Sequence, residues 1–269
     1  MCLAIEWEVK AWCYDMTCYS LDRGTIQHAP DETARIKAIV DELMDRKWGI
    51  FKIWICCIDA GYTTSDVYRL CGHYPNIFDI RRGVSGGMVP TKGTAAPSVK
   101  KIQHTTFNYK SETTGRRQKT NTFMIGVNIA KAELYRTLNL DYGGDRVGLV
   151  YAPDDYPNNY YSELVAEIPK FKQTSYGKMQ TFEHKTGVVN EALDLHVLNR
   201  MACELTGMPY WSDKKIQDEK AKNAELWKTQ AVKDTYEDTE VDKERNERAK
   251  LYEERRKRRI SKHLSLIHI

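Results

Sequence analysis

The carboxylates with the most telling surroundings are Asp59, Glu191 and Asp194. Asp59 ends the apolar run Ile53, Trp54, Ile55, Cys56, Cys57 and Ile58, and Ala60 and Gly61 follow it. Such a run reads as a strand buried on both faces. The carboxylate is therefore predicted where a strand stops and the chain turns toward a helix from Ser65 to His73, with Thr64 or Ser65 as N-cap. An α/β sheet places its chemistry at that edge. Without a partner, Asp59 reads simply as an Asx-turn residue. Glu191 and Asp194 lie three apart in Val188 to Leu205, on one face near the start of a helix. The buried stripe of that helix is Ala192, Leu195, Leu198, Met201 and Ala202. Adjacent carboxylates repel, so the pair asks for a cation between them. An acidic first turn favoured by the helix macrodipole is the other reading.

The elements that must position these acids alternate. Leu3 to Trp12 and Tyr14 to Leu21 read as half-buried strands, and Asp31 to Lys47 as a helix after Pro30. Asn76 to Ile80 is predicted as a strand beside the one that carries Asp59. Arg81 to Lys101, rich in Gly, Pro, Ser and Lys, reads as a long surface loop. His104 to Tyr109 and Thr122 to Val127 are two further strands. Their connector puts Arg116, Arg117 and Lys119 at a Gly-containing tip, either solvated or touching phosphate. After Asn128, Ala130 to Leu138 fits a helix with Lys131 in its first turn. Val147 to Ala152 is a strand, Tyr160 to Ile168 a helix that includes Glu163 and Glu167, and Lys178 to His184 an edge strand.

Composition bounds the rest. The chain of 269 residues can bury a sizeable core, and its net charge of +4 makes any basic character local. Seven cysteines without a C-x-x-C pair argue for buried core thiols in a reducing compartment, against a zinc ribbon or a secreted disulfide framework. No apolar run approaches membrane-spanning length and no signal peptide is read, so a cytosolic protein is expected. Residues 1–210 are expected to form one domain and residues 211–263 a charged helical or disordered tail closing on RRKRR. Residues 264–269, LSLIHI, resemble a translated sequencing adaptor and are set apart from the fold.

Alternating strands and helices, an Asp at the end of the central strand and a late carboxylate pair suggest an α/β protein with a ribonuclease-H-like mixed sheet flanked by helices. In that chemistry two Mg²⁺ or Mn²⁺ ions activate water and stabilise the leaving oxygen of a phosphodiester. Four segments, in order, resemble the nuclease half of the phage large terminase subunit of the lambda-like GpA type. They are IDAGYTTSDVYRLC (58–71), GVNIAKAELYRTL (126–138), YAPDDYPNNYYSELVAE (151–167) and NEALDLHVLNRMA (190–202). The resemblance implies a metal-dependent endonuclease that cuts concatemeric double-stranded viral DNA during packaging, in the host cytoplasm, with the small terminase subunit and portal as partners. It also implies Asp59 as the first-strand metal ligand and Glu191 and Asp194 as the acidic pair. The middle ligand position falls on Asn128, whose amide can ligate Mg²⁺ without bringing charge, so Asp154 or Glu167 is the other candidate. Lys131 either holds a phosphate or is solvated.

The family's motor needs a P-loop upstream, and no G-x-x-x-x-G-K-[ST] occurs here. The expectation is a fragment that cuts DNA without translocating it. A second reading is a catalytically weakened DNA-binding or motor-docking module on the same fold, favoured by Asn128, the basic tip and the RRKRR tail. A third is another ribonuclease-H-like enzyme, such as a junction resolvase or transposase.

Overall fold

The computed structural model describes residues 3–28, 33–49, 51–61, 64–79, 83–96, 100–110, 115–138, 148–175 and 177–234. The chain opens on β1 (Leu3–Trp12) and β2 (Cys18–His28), then α1 (Thr33–Asp45), and the short strands β3 (Lys47–Trp48) and β4 (Phe51–Lys52). Next come β5 (Cys56–Asp59), α2 (Thr64–His73), β6 (Ile77–Asp79), β7 (Gly83–Ser85) and β8 (Met88–Thr94). They are followed by β9 (Ile102–Lys110), β10 (Arg117–Gly126), α3 (Val127–Leu138), β11 (Val150–Tyr151) and α4 (Tyr160–Leu164). The last elements are β12 (Glu167–Thr174), β13 (Gly177–His184), α5 (Glu191–Leu205) and α6 (Asp213–Asp234). The chain divides into two compact units between Ser212 and Asp213. In the second unit, α6 carries Leu226 and Trp227 exposed on a polar helix.

Two sheets carry the first unit, an α/β mixture. One has the order β1-β2-β11, the other β5-β8-β10-β9, with β5, β8 and β10 parallel and β9 antiparallel to β10. The expected surface loop at Arg81 to Lys101 is therefore corrected, because it contains β8, the buried strand between β5 and β10. Met88, Val89, Pro90 and Thr91 form an apolar stretch whose burial outweighs the turn-forming composition around it. Pro90 argues against a central strand because it lacks an amide hydrogen. Gly87 explains the entry: at φ +74° it lies against the Pro75 carbonyl, where a Cβ would come within 2.4 Å. The predicted neighbour of β5 is corrected too, since β6 pairs with β7 in a separate ribbon.

The strand before Asp59 is shorter than its apolar run suggests. Only Cys56–Asp59 pairs with β8, and Trp54 is exposed. Its exposure removes the both-faces-buried reading of that segment. The helix expected from Tyr160 to Ile168 ends at Leu164, and Glu167 instead opens β12. Tyr14 to Thr17 belongs to a turn rather than to β2, where the Asp15 carboxylate accepts from the Thr17 amide at 2.9 Å.

The helix α5 is the internal beam. Leu193 and Ala192 pack with Leu134, Tyr160 and Leu164, while Val197 and Met201 pack on Ile125 and Ala130. Leu205 reaches Val84, Val89 and Phe123. Gly83, at φ +82°, lets β7 approach the end of this helix, since a Cβ there would meet the Leu205 carbonyl at 2.3 Å. A buried Lys10–Glu8 ion pair, with Ser20 and Tyr160 bonded to Glu8, ties β1 and β2 to α4. Cys18, Cys71 and Cys203 are buried as the core-residue expectation has it and burial pushes Cys18 up to about 11, whereas Cys13 is exposed in the turn after β1 and departs from that expectation. Cys2 lies outside the described residues.

Candidate active site

Asp59 stands at the carboxyl end of β5, exposed, and its Oδ1 accepts from the Gly61 amide at 3.1 Å. This is an Asx-turn, and it presents the carboxylate at the sheet edge. The turn is pinned from beneath. The Ala60 amide donates to the Thr91 carbonyl at 2.8 Å, and the buried Thr91 hydroxyl donates to the Ile58 carbonyl at 3.0 Å. Both partners belong to β8, so the strand absent from the sequence reading is the one that fixes Asp59.

Across from this edge lies the first turn of α5. Its apolar side is anchored by Ala192, Leu193 and Leu195, which leaves Glu191 and Asp194 on the outer side. Partial burial pushes the Asp194 carboxyl above its ordinary range. The Lys131 ammonium pulls it down, while Glu167 and Asp59 push it up again. Asp59, distant in sequence, is thus the last and weakest of the charged neighbours acting on Asp194.

Between them and the α3 helix sits a cation made by the chain itself. Lys131 Nζ lies 2.6 Å from Glu167 Oε1 and 3.6 Å from Asp194 Oδ1, with both Lys131 and Glu167 buried. Asn190, the residue before α5, donates to Asp194 Oδ2 at 3.0 Å and to Glu167 Oε1 at 3.4 Å. The backbone of Glu167 is held as well, its amide donating to the Tyr135 hydroxyl at 3.2 Å and its carbonyl accepting from that hydroxyl. Sequence reasoning named Glu167 only as a substitute and did not find Asn190 or Tyr135. The signal for Tyr135 was its place one turn after Lys131 on the same helical face.

Glu191 faces elsewhere as well as toward Asp194. Its carboxyl is pushed up by partial burial, then by Asp194, Glu6 and Glu163, and pulled down by Arg23. Glu6, Arg23, Tyr156, Asn159 and Glu163 line a cleft of about 510 Å³. Arg23 is committed within it, 2.8 Å from Glu163 and over the Tyr160 ring.

The remaining candidates are spread out. Asn128 lies in the first turn of α3 and donates to the Ala95 carbonyl at 3.4 Å. Asp154 is exposed on the loop before α4. Arg116 precedes β10, whereas Arg117 and Lys119 lie within it, opposite Lys110 and Asn108. Two of the three basic residues thus belong to a strand, and residues 111–114 of the expected tip lie outside the described residues. The RRKRR run and LSLIHI lie outside them too.

Among the described residues no three His, Cys, Asp or Glu side chains are arranged to hold a metal ion. The donor chemistry nevertheless suits a hard divalent cation. Asp59 and Asp194 supply carboxylate oxygens, the ligands such a cation prefers. Among the described residues no helix is long and apolar enough to cross a membrane.

Comparison with known families matches residues 4–217 to the model described as the terminase large subunit gpA, endonuclease domain. Comparisons with curated proteins and with solved structures returned no match.

Proposed function

The chain belongs to the family of terminase large subunit gpA endonuclease domains, and from that premise we propose that it hydrolyses double-stranded viral DNA at the Asp59–Asp194 edge, using divalent cations, during genome packaging. The observation that carries this is the placement of Asp59 at the carboxyl end of β5, against which α5 packs with Asp194 in its first turn. In this reading the two sheets and their helices form a ribonuclease-H-like nuclease, working in the host cytoplasm with the small terminase subunit and portal.

Asp59 and Asp194 are the residues that would hold Mg²⁺ or Mn²⁺, with Glu191 and Glu167 beside them for a second ion. Such ions, when bound, lower the pKa of water and neutralise charge on the phosphate. The chain's own work is positioning. Thr91 and Gly61 fix the Asp59 carboxylate, Asn190 orients Asp194, and Tyr135 and Lys131 hold Glu167. Lys131 offers an ammonium for a phosphate oxygen while keeping the acids from repelling one another when the site is empty. Asn128 is retained as a neutral amide donor near the strand edge. Arg116, Arg117 and Lys119 extend a basic strand toward the DNA backbone, where their contribution would be salt-dependent.

A second reading, a DNA-binding or motor-docking module with weakened catalysis, is favoured by Lys131 standing where a cation would bridge Glu167 and Asp194. Cleavage of supercoiled plasmid with Mn²⁺, with Mg²⁺ and with chelator separates the two. The nuclease reading expects metal-dependent nicking that Asp59→Asn abolishes. DNA retarded in a gel but uncut under every condition would transfer the assignment to the binding module.

A further inference from the structure

The ribbon β12–β13 belongs to neither large sheet, and its first residue is Glu167. Its base is fixed. Phe182 packs on the Tyr135 ring with centroids 5.2 Å apart, and the Lys185 amide donates to the Ala166 carbonyl at 2.8 Å. From there the two strands pair without a bulge out to Thr174 and Gly177.

Alternation divides the ribbon into two faces. Glu167, Pro169, Phe171 and Gln173 share one face with their partners His184, Phe182, Gln180 and Lys178. Phe171 is 63% exposed on that face. The Lys178 ammonium lies 4.7 Å from its centroid. Lys172 is exposed on the opposite face, and Lys170 is paired there with Glu183. Lys178 is therefore the lysine beside the ring, its ammonium taking one side of it, while Lys172 adds an exposed charge on the reverse face of the ribbon.

Building on the nuclease reading above, we propose that Phe171 is a stacking platform for one unpaired base of the DNA strand held at the acidic centre. Three features select this ligand. A ring with a single open face suits one base rather than full insertion between two base pairs. The Lys178 ammonium beside the ring, with Lys172 across the ribbon, suits a phosphate adjoining that base. Finally, Phe171 lies four residues along the strand from Glu167, about 13 Å, an axial length of roughly four base pairs. The ribbon thus measures a fixed offset from the cut to a base that has left the duplex. Phe107, a second phenyl ring beside a lysine, lies on β9 of the four-stranded sheet, is stacked on Tyr68 at 4.4 Å and is not available for the same role.

The test uses the full chain with chelator present and a short duplex carrying a fluorescent adenine analogue at one unpaired position, beside the fully paired control. Wild type is expected to quench the analogue and to bind the unpaired duplex more tightly than the control. Phe171→Ala should lose about tenfold in affinity for the unpaired duplex and little for the paired one, while Phe171→Trp keeps the preference. Lys178→Glu should weaken both. Phe171 is exposed, so an unchanged melting temperature for Phe171→Ala is expected and ties any loss to binding. Equal affinity and quenching in wild type and Phe171→Ala would overturn the platform and leave the nuclease assignment standing. Failure of wild type to bind either DNA would overturn both.

Discussion

Replacing Lys131 by Met removes the cation on which the acidic centre rests and leaves a side chain of similar length. The lost contacts are the 2.6 Å pair with Glu167 and the 3.6 Å approach to Asp194. Glu167 is 8% exposed at its side chain, so its charge has little access to water. Breaking a buried ion pair from one side costs about 3–5 kcal/mol. The lower end applies here, because Asn190 still reaches Glu167 and Asp194 is half exposed to solvent. Urea denaturation should therefore show a loss of about 3 kcal/mol, or a melting temperature lower by about 6–12 °C for a domain of this size. Lys131→Met combined with Glu167→Leu removes both charges, so its cost should fall at least about 2 kcal/mol short of the sum of the single variants. Mn²⁺ should stabilise Lys131→Met more than wild type, since the added ion no longer competes with the ammonium. A loss below about 0.5 kcal/mol, or strictly additive variants, would refute the claim that Lys131 neutralises a buried carboxylate.

Two further outcomes follow from the packing around α5. Arg200 binds Glu204 at 2.6 Å and Glu133 at 3.2 Å, with Lys101 also 3.0 Å from Glu204. Burial tends to raise the Glu204 carboxyl, but Tyr210, Arg200 and Lys101 together hold it below its ordinary range. Arg200→Ala should cost about 3 kcal/mol in chemical denaturation, and a change under about 1 kcal/mol would show that Lys101 alone suffices. His196 is buried against Trp12, its Nδ1 without a hydrogen-bond partner among the described residues, and burial followed by Lys10 and Arg200 pushes its pKa well below the ordinary histidine value. The unfolded chain therefore takes up this proton first as pH falls, so stability from this residue is complete above about pH 6.5. It should decline below that by up to about 1.4 kcal/mol per pH unit. Melting curves of wild type and His196→Gln at pH 7.5 and 5.5 read the difference, and equal slopes would contradict it.

The candidate acids stand out in the sequence because their signals are local. Asp59 follows an apolar run, and Glu191 and Asp194 share a face of a strongly periodic helix. The residues that organise those acids were not legible, for a physical reason in each case. β8 contains a proline and a glycine and is preceded by two more glycines, and only burial between two parallel neighbours makes Met88 to Thr94 a strand. Glu167 sits where a short helix gives way to a ribbon, and no periodicity distinguishes the last turn of one from the first residue of the other. Lys131 was visible as a first-turn lysine, but its burial against two carboxylates depends on chain returning more than thirty residues later. Local pattern singled out the candidate acids; tertiary contact decides how they are oriented and neutralised.

The most direct test of the account is Mn²⁺ binding to the purified chain, followed by electron paramagnetic resonance for wild type, Asp59→Asn, Asp194→Asn and the double variant. If the two carboxylates form one centre, each single substitution should weaken binding by about tenfold or more, and the double variant should be little worse than either. Affinity unchanged in both single variants, or losses that simply add, would contradict a shared site between the end of β5 and the start of α5.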